Sequence, residues 1–181
     1  PGSYVLSVGT LEPRKNLNTL FAAYAGLPDA LRQRYPLVVA GMNGWNTEGL
    51  MKSAKELIRR GELRLLGYVA DELMPKLYAG AAAFAYPSRY EGFGLPALEA
   101  MASGIPVITG NLTSLPEVVG DAALLADAFA YEDIADKLQR LILDETLCKE
   151  YQQRGIRQAQ KFSWEKTAER TLQAYHKCLE C

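Results

Sequence analysis

Short apolar runs bounded by turn residues alternate along the chain with longer amphipathic stretches. The apolar runs predict strands buried on both faces at residues 4–8, 37–40, 63–66, 82–86, 106–109 and 123–125. The amphipathic stretches predict helices at residues 17–34, 48–60, 71–78, 96–103, 131–143, 145–161 and 163–179. This alternation predicts an α/β fold: a Rossmann-like, doubly wound parallel sheet of about six strands flanked by helices, in a single domain over residues 1–181.

The functional loops are expected at one edge of this sheet. Ligands of doubly wound sheets bind outside the carboxyl ends of the strands, near the point where the strand order changes direction. The loops that directly follow predicted strands lie at residues 9–15, 41–45, 67–69, 87–95 and 110–116. In these loops Tyr68 can stack on a ligand or pack against the protein, and Trp45 is expected to pack.

The composition is that of an ordinary globular protein. Apolar residues make up 49% of the chain, charged residues make up 23%, and the formal net charge is −1. Proteins that bind nucleic acid usually carry a basic surplus, so no nucleic-acid partner is expected. No apolar run approaches the roughly 18 residues of a membrane span, which predicts no transmembrane segment.

The cysteines indicate the compartment. Cys148, Cys178 and Cys181 form no metal-ligand spacing with the single histidine, His176. Few cysteines without such spacing indicate a reduced, cytoplasmic protein. A disulfide between Cys178 and Cys181 is the alternative.

The loop after the first predicted strand carries two adjacent cations. It begins with Gly9 and Thr10, and Arg14 and Lys15 stand just before the next predicted helix. Cations oppose the dipole at a helix N-terminus, so their position favours an anion site over a purely stabilising role. The glycine spacings of dinucleotide-binding and P-loop fingerprints are absent, which argues against a dehydrogenase or a P-loop nucleotidase.

The loop after the fourth predicted strand places two carboxylates around a glycine-rich turn. Residues 91–99 read Glu-Gly-Phe-Gly-Leu-Pro-Ala-Leu-Glu, and Pro96 suits the first position of a helix. Glycines let the backbone approach a ligand closely and turn its N–H groups towards it. Glu91 and Glu99 can each accept hydrogen bonds from hydroxyl groups, and the diols of sugars and ribose suit carboxylates well.

The same residues resemble the Glu-x7-Glu signature of the family 4 glycosyltransferases, which have the two-domain GT-B fold. Further segments similar to that family are residues 9–17, its diphosphate-binding loop, and residues 101–108, 114–125 and 162–164. The likeness implies one half of a GT-B fold, the carboxy-terminal, donor-binding domain of a retaining enzyme.

The resemblance implies a role for each candidate residue. Glu91 would bond hydroxyls of the donor sugar, and Glu99 would hold the ribose diol. Arg14 and Lys15 would neutralise the charge that develops on the leaving diphosphate. The remaining donor-binding positions that it implies are Gly9, Thr10, Tyr68, Val69, Gly92, Phe93, Gly94 and Leu95.

Metal-independent chemistry without a cofactor is expected, because the chain contains no Asp-x-Asp and fixed cations must then replace a metal. One position departs from the family pattern. Thr10 stands where the family often carries an arginine directly after the first strand, and Arg14 could replace that arginine from inside the loop.

The donor is expected to be GDP-mannose, because the Glu-Pro-Arg-Lys-Asn-Leu string at residues 12–17 is similar to bacterial mannosyltransferases. A UDP-linked sugar is the alternative. The resemblance implies a glycan or lipid-linked acceptor, and a peripheral location at the inner face of the cytoplasmic membrane for the full-length protein.

The likeness covers only the donor half of such an enzyme. The amino-terminal acceptor domain is therefore expected to be absent from this chain, and the isolated domain is expected to bind the donor without transferring the sugar. The alternatives are a non-catalytic nucleotide-sugar-binding module, a nucleotide-sugar 2-epimerase, and a structural or interaction module. The epimerases share the overall fold, but their loops differ in sequence from residues 91–99 of this chain.

Overall fold

Six parallel strands form one sheet in the computed structural model, which describes residues 2–179. The strands are β1 (Val5–Val8), β2 (Leu37–Ala40), β3 (Leu63–Gly67), β4 (Ala83–Tyr86), β5 (Val107–Gly110) and β6 (Leu124–Ala126). They lie in the order β3-β2-β1-β4-β5-β6, and every neighbouring pair is parallel. The predicted Rossmann-like, doubly wound fold is confirmed. Cys181 of the alternative disulfide lies outside the described residues.

Helices connect the strands and cover both faces of the sheet. They are α1 (Leu17–Ala25), α2 (Asp29–Arg34), α3 (Glu48–Arg59), α4 (Met74–Ala79), α5 (Leu95–Ala102), α6 (Leu115–Val119), α7 (Tyr131–Leu143), α8 (Glu145–Ala159) and α9 (Trp164–Leu179). A 3-10 helix, Pro13–Lys15, precedes α1. Within residues 2–179, no helix is both long enough and apolar enough to cross a membrane.

Two helical predictions need correction. The helix predicted over residues 17–34 is interrupted, because α1 ends at Ala25 and Pro28 stands immediately before α2. Proline removes a backbone donor and disfavours helical geometry in the residue before it, so the two helices cannot run through this point. The short helix α6 was not predicted at all, since five residues are too few to show a helical period.

The core consists of two apolar clusters, one on each face of the sheet. Along β1, Val5 belongs to the cluster covered by α1, α3 and α7, and Leu6 belongs to the cluster covered by α4, α5 and α6. All four residues of each of β2, β4 and β5 are buried, whereas the edge strand β3 alternates between buried and more exposed positions. Strands buried on both faces read as continuous apolar runs, which is why the sequence pattern located them.

The strand order changes direction between β1 and β4. The chain moves outward from β1 to β2 and β3, then returns to place β4 on the other side of β1. The carboxyl ends of β1 and β4 are therefore neighbours at one edge of the sheet. The loops that follow these two strands must meet there, at the switch point where such folds bind ligands.

Candidate functional site

The cations of the loop after β1 contact the carboxylate of the loop after β4. Lys15 Nζ lies 2.8 Å from Glu91 Oε1, and Arg14 Nη1 lies 3.0 Å from Glu91 Oε2. Arg14 also pairs with Glu12, Nε to Oε2, at 2.8 Å. The structure thus brings together the three residues predicted to be catalytic, and Glu91 bridges the two cations.

Burial makes this cluster unusual. Lys15 and Glu91 are each 8% exposed, whereas the side chain of Arg14 is 42% exposed. A buried lysine that loses its counter-charge is strongly destabilising, because the ammonium has left water and must be balanced by protein groups. Glu91 supplies that balance, so its carboxylate is occupied by cations rather than open to solvent.

The pKa of Glu91 reflects these opposing influences. Burial by itself raises the pKa of this carboxyl, but hydrogen bonds from Lys15 and Tyr86 and the charge of Lys15 outweigh it, so the pKa lies below the ordinary value of 4.5. The group is therefore a carboxylate at neutral pH. A carboxylate only accepts hydrogen bonds, as binding of hydroxyl groups requires.

Tyr86 is a member of the cluster that the sequence analysis missed. Its hydroxyl lies 2.5 Å from Lys15 Nζ and 2.8 Å from Glu91 Oε1, and the residue is 2% exposed. Because Tyr86 is the last residue of an apolar strand, the pattern indicated only core packing. The available signal was its position at a carboxyl end, where a polar tip reaches the functional edge.

Backbone and amide contacts hold the two loops against each other. Arg89 N donates to Arg14 O at 2.8 Å, and the Asn16 side chain donates to Pro87 O at 3.0 Å and to Ala128 O at 2.6 Å. Asn16 is 3% exposed and has a left-handed backbone with φ of 59°. Asparagine tolerates that conformation better than most residues, so it both turns the chain and fastens the loops together.

The turn between Glu91 and α5 is shaped by Gly94 and by the loop after β5. Gly94 has a φ of 108°, and a Cβ placed there would lie 2.7 Å from Leu115 Cδ2. The Ser114 hydroxyl shares its single proton between two carbonyl oxygens, Glu91 O at 3.0 Å and Phe93 O at 2.9 Å. These two contacts keep the carbonyl groups of Glu91 and Phe93 on the same side of the turn.

The N–H groups of the same turn remain available. Among the residues that the structure describes, Gly92, Phe93, Gly94 and Leu95 have no acceptor for their backbone N–H groups. They lead into the N-terminus of α5, where unpaired N–H groups and the helix dipole favour a negatively charged partner. The turn is therefore suited to an anion. Phe93 is half-exposed, and its ring packs edge-on against Phe162 with centroids 5.7 Å apart.

A cavity of about 620 Å³ adjoins the cluster. Its lining includes five of the predicted donor-binding residues: Gly9, Thr10, Tyr68, Val69 and Glu99. Lys15 lies between the charged cluster and the cavity. A Cβ added to Gly9, which lines the cavity, would lie 3.0 Å from Lys15 Cε. A volume of this size accommodates a nucleoside.

Glu99 stands at the wall of this cavity. It is exposed, and its Oε2 accepts a hydrogen bond of 2.7 Å from the Tyr78 hydroxyl, leaving the other carboxylate oxygen free of protein donors among the described residues. Thr10 lines the cavity, whereas the guanidinium of Arg14 is directed to Glu91 and Glu12. That Arg14 replaces the family's arginine at the position of Thr10 stays a prediction.

The two aromatic residues of the neighbouring loops are exposed. Tyr68 lines the cavity and is 69% exposed, so its ring is open to a ligand. Trp45, which was expected to pack, is 65% exposed, and that expectation is wrong. Within the described residues, no group of three or more histidine, cysteine, aspartate or glutamate side chains is arranged to hold a metal ion.

The chain is similar in sequence to proteins of one known family. The profile of the family described as Glycosyl transferases group 1 matches residues 2–177. The chain is 48% identical over 172 residues to the O-antigen chain mannosyltransferase B of Escherichia coli, and 35% identical over 182 residues to the serotype-specific mannosyltransferase WbdA of Escherichia coli. These matches cover 95% and 99% of this chain, but only 45% and 22% of the two relatives.

A solved structure has the same fold. The crystal structure of Anabaena HepE in complex with UDP-glucose superposes with a TM-score of 0.84 at 21% identity, over 97% of this chain and 49% of that one. Its likeness supports the GT-B architecture predicted for the chain. Since the family profile covers nearly every residue and the sequence relatives agree with it, the chain belongs to the group 1 glycosyl transferases.

Proposed function

We propose that this chain is the donor-binding domain of a retaining glycosyltransferase and binds a nucleotide-diphosphate sugar. The nucleoside occupies the cavity beside Tyr68 and Glu99, and the diphosphate and sugar lie at the cluster of Arg14, Lys15 and Glu91. The observation that carries this proposal is that two cations bridged by the buried carboxylate of Glu91 lie next to an open cavity at the switch point of the sheet.

Donor binding requires an exchange of partners at the cluster. Glu91 and Glu12 together neutralise Arg14 and Lys15 in the free site, so an arriving diphosphate takes over the two cations. The N–H groups of residues 92–95 supply further donors to the phosphate and sugar. Glu91, released from the cations, is then free to accept hydrogen bonds from the sugar hydroxyls.

The same groups suit the chemistry of transfer. When the bond between the sugar and the diphosphate breaks, negative charge grows on the departing phosphate oxygens. Fixed cations that already face this position lower the barrier, because they need no reorganisation as the charge develops. Arg14 and Lys15 take this role, and no metal ion is required in the proposed reaction.

The sugar is proposed to be mannose, carried by GDP. Two relatives with mannosyltransferase names, at 48% and 35% identity, support this choice. A UDP-linked sugar is the second candidate, since the similar fold of HepE holds UDP-glucose. The exposed ring of Tyr68 is proposed to stack on the base in either case.

The remaining parts of the reaction lie outside this domain. The chain spans less than half the length of the relatives named above, and we propose that an amino-terminal domain of the full-length protein supplies the acceptor site. The acceptor is proposed to be a glycan or lipid-linked glycan, met at the inner face of the cytoplasmic membrane. The isolated chain then binds donor without transferring it.

Calorimetric titration of the 181-residue chain with GDP-mannose, UDP-glucose and their nucleoside diphosphates tests the proposal. GDP-mannose is expected to bind more tightly than UDP-glucose, and each nucleotide sugar more tightly than its nucleoside diphosphate. Heat from UDP-glucose alone would reassign the donor, whereas the absence of heat with every ligand would reject the function.

A further inference from the structure

The Tyr86 side chain divides into a packed ring and a functional hydroxyl. Its ring stacks on Phe84 with centroids 5.7 Å apart and an interplanar angle of 25°, inside the apolar cluster on one face of the sheet. Its hydroxyl leaves that cluster and reaches the Lys15 ammonium and the Glu91 carboxylate. No other described residue contacts both charged groups through a single side-chain atom.

The directions of these hydrogen bonds follow from the chemistry of the partners. An ammonium only donates and a carboxylate only accepts, so the hydroxyl must accept from Lys15 and donate to Glu91. A phenol can do both at once, whereas a phenylalanine ring can do neither. The bonds at 2.5 Å and 2.8 Å therefore restrict where both charged groups can lie.

We propose that Tyr86 is a positioning residue of the donor site, whose hydroxyl holds Lys15 and Glu91 in the arrangement that the diphosphate sugar meets. This inference rests on the proposed function. When the diphosphate draws Arg14 and Lys15 away, Glu91 loses two of its side-chain donors and keeps Tyr86. The hydroxyl then keeps the carboxylate within the pocket and aimed at the sugar.

A purely structural role would give a different result. Tyr24 is a buried tyrosine away from the site, and its hydroxyl shares its single proton between Tyr35 O at 2.9 Å and Arg32 O at 3.1 Å. Tyr24→Phe removes the same oxygen atom and is the matched control. It is expected to lower thermal stability without changing the affinity for any ligand.

Tyr86→Phe is expected to fold and to bind the nucleotide sugar about tenfold more weakly, which corresponds to about 1.4 kcal/mol. The affinity for the nucleoside monophosphate should stay unchanged, because that ligand relies on the cavity beside Tyr68 and Glu99. In a Glu91→Ala background, Tyr86→Phe should have little further effect on nucleotide-sugar binding, because the two side chains act together.

A spectroscopic measurement on the unmutated chain does not depend on the folding of any variant. With tyrosine labelled at Cζ, the Tyr86 signal should shift on saturation with nucleoside diphosphate, because its hydroxyl loses the Lys15 donor. The Tyr24 signal should stay in place.

The possible results separate the two proposals. If the unmutated chain binds no nucleotide sugar, the proposed function fails. If it binds, but Tyr86→Phe binds equally well or the Tyr86 signal does not move at saturation, only the positioning role fails. Equal weakening of all ligands, the monophosphate included, would likewise overturn the positioning role.

Discussion

The Lys15 ammonium lies 2.8 Å from the Glu91 carboxylate, although 76 residues separate them in the chain. The contact exists because β1 and β4 are neighbours at the switch point and each strand delivers its following loop to the same edge. Together with the ion pair between Arg14 and Glu12, it means that the charges of the free site are already balanced. A ligand with a diphosphate must therefore replace an internal anion rather than simply fill an empty cationic pocket.

Glu91→Gln tests this replacement. The amide leaves Lys15 without an anion and Arg14 with Glu12 alone, so the nucleoside diphosphate is expected to bind as tightly as before or more tightly. The nucleotide sugar loses an ionised acceptor for its hydroxyls. Its advantage over the nucleoside diphosphate should shrink by about 1.5 kcal/mol, roughly tenfold. Calorimetric titration with both ligands measures the difference, and an unchanged advantage would show that Glu91 does not contact the sugar.

The same ion pair predicts how stability depends on pH. The folded-state pKa of Glu91 lies below its ordinary value of 4.5, so as the pH falls the unfolded chain takes up the proton first. The stabilisation is present above the ordinary value and is lost as the pH falls through the folded-state pKa. Urea unfolding from about pH 6 to about pH 3 should show a smaller loss of stability for Glu91→Gln than for the unmutated chain.

Other carboxyls do not obscure this comparison. Glu56, whose pKa is lowered to about 2 by hydrogen bonds from Arg59 and Arg60, is present in both proteins, and so is Asp133. Their contributions cancel in the difference between the two pH profiles. Parallel profiles would mean that folding does not lower the pKa of Glu91.

The sequence predicted the elements whose signal is local and repeated. Fully buried strands such as β2 and β4 are continuous apolar runs. The carboxyl ends of β1 and β4 identified the loops of Lys15 and Glu91. That these loops meet also follows from strand order, which the general rule for doubly wound sheets anticipates. The resemblance to the family 4 glycosyltransferases then indicated that these loops bind a nucleotide-diphosphate sugar.

The remaining features depend on contacts between distant segments. The sequence indicates only a core position for Tyr86, because its ring is apolar and its strand is buried. The fold is needed to show that its hydroxyl contacts Glu91. The exposure of Trp45 depends on what packs above its loop, about which local sequence contains no information. The sequence predicts that the Glu91 carboxylate lies at the donor site. It does not predict that Arg14 and Lys15 form ion pairs with this carboxylate in the absence of a ligand.

Gly94→Ala tests the shape of the turn that bears the free N–H groups. A side chain at φ of 108° is strained, and its Cβ would lie 2.7 Å from Leu115 Cδ2. We expect a loss of stability of about 1–3 kcal/mol and weaker binding of the nucleotide sugar. Gly92→Ala is the matched control, since a Cβ there has nothing within 4 Å. Equal stability of the two variants, measured by urea unfolding, would contradict the geometry of this turn.

Removal of divalent metal tests the role assigned to the fixed cations. Affinity for the nucleotide sugar is expected to be the same in EDTA as in Mg²⁺ or Mn²⁺, because Arg14 and Lys15 supply the positive charge. Titration of Lys15→Met under the same conditions is the companion measurement and should show weak binding with or without metal. Donor binding by the unmutated chain only when metal is present would refute metal independence.

Glu99→Ala tests whether the cavity beside the cluster holds the ribose. Glu99 is exposed and has an oxygen free of protein donors, so its removal should change stability little. Loss of an ionised acceptor for a ribose diol should weaken the nucleotide sugar and the nucleoside monophosphate equally, by about 1–3 kcal/mol. Equal weakening of the two ligands is the informative result, because both contain the ribose and only the nucleotide sugar contains the donor sugar. Glu145→Ala is the matched control, since Glu145 is also an exposed carboxylate on a helix but does not line the cavity. Weakening of the nucleotide sugar alone would move Glu99 from the ribose to the sugar, and no weakening of either would place the nucleoside elsewhere.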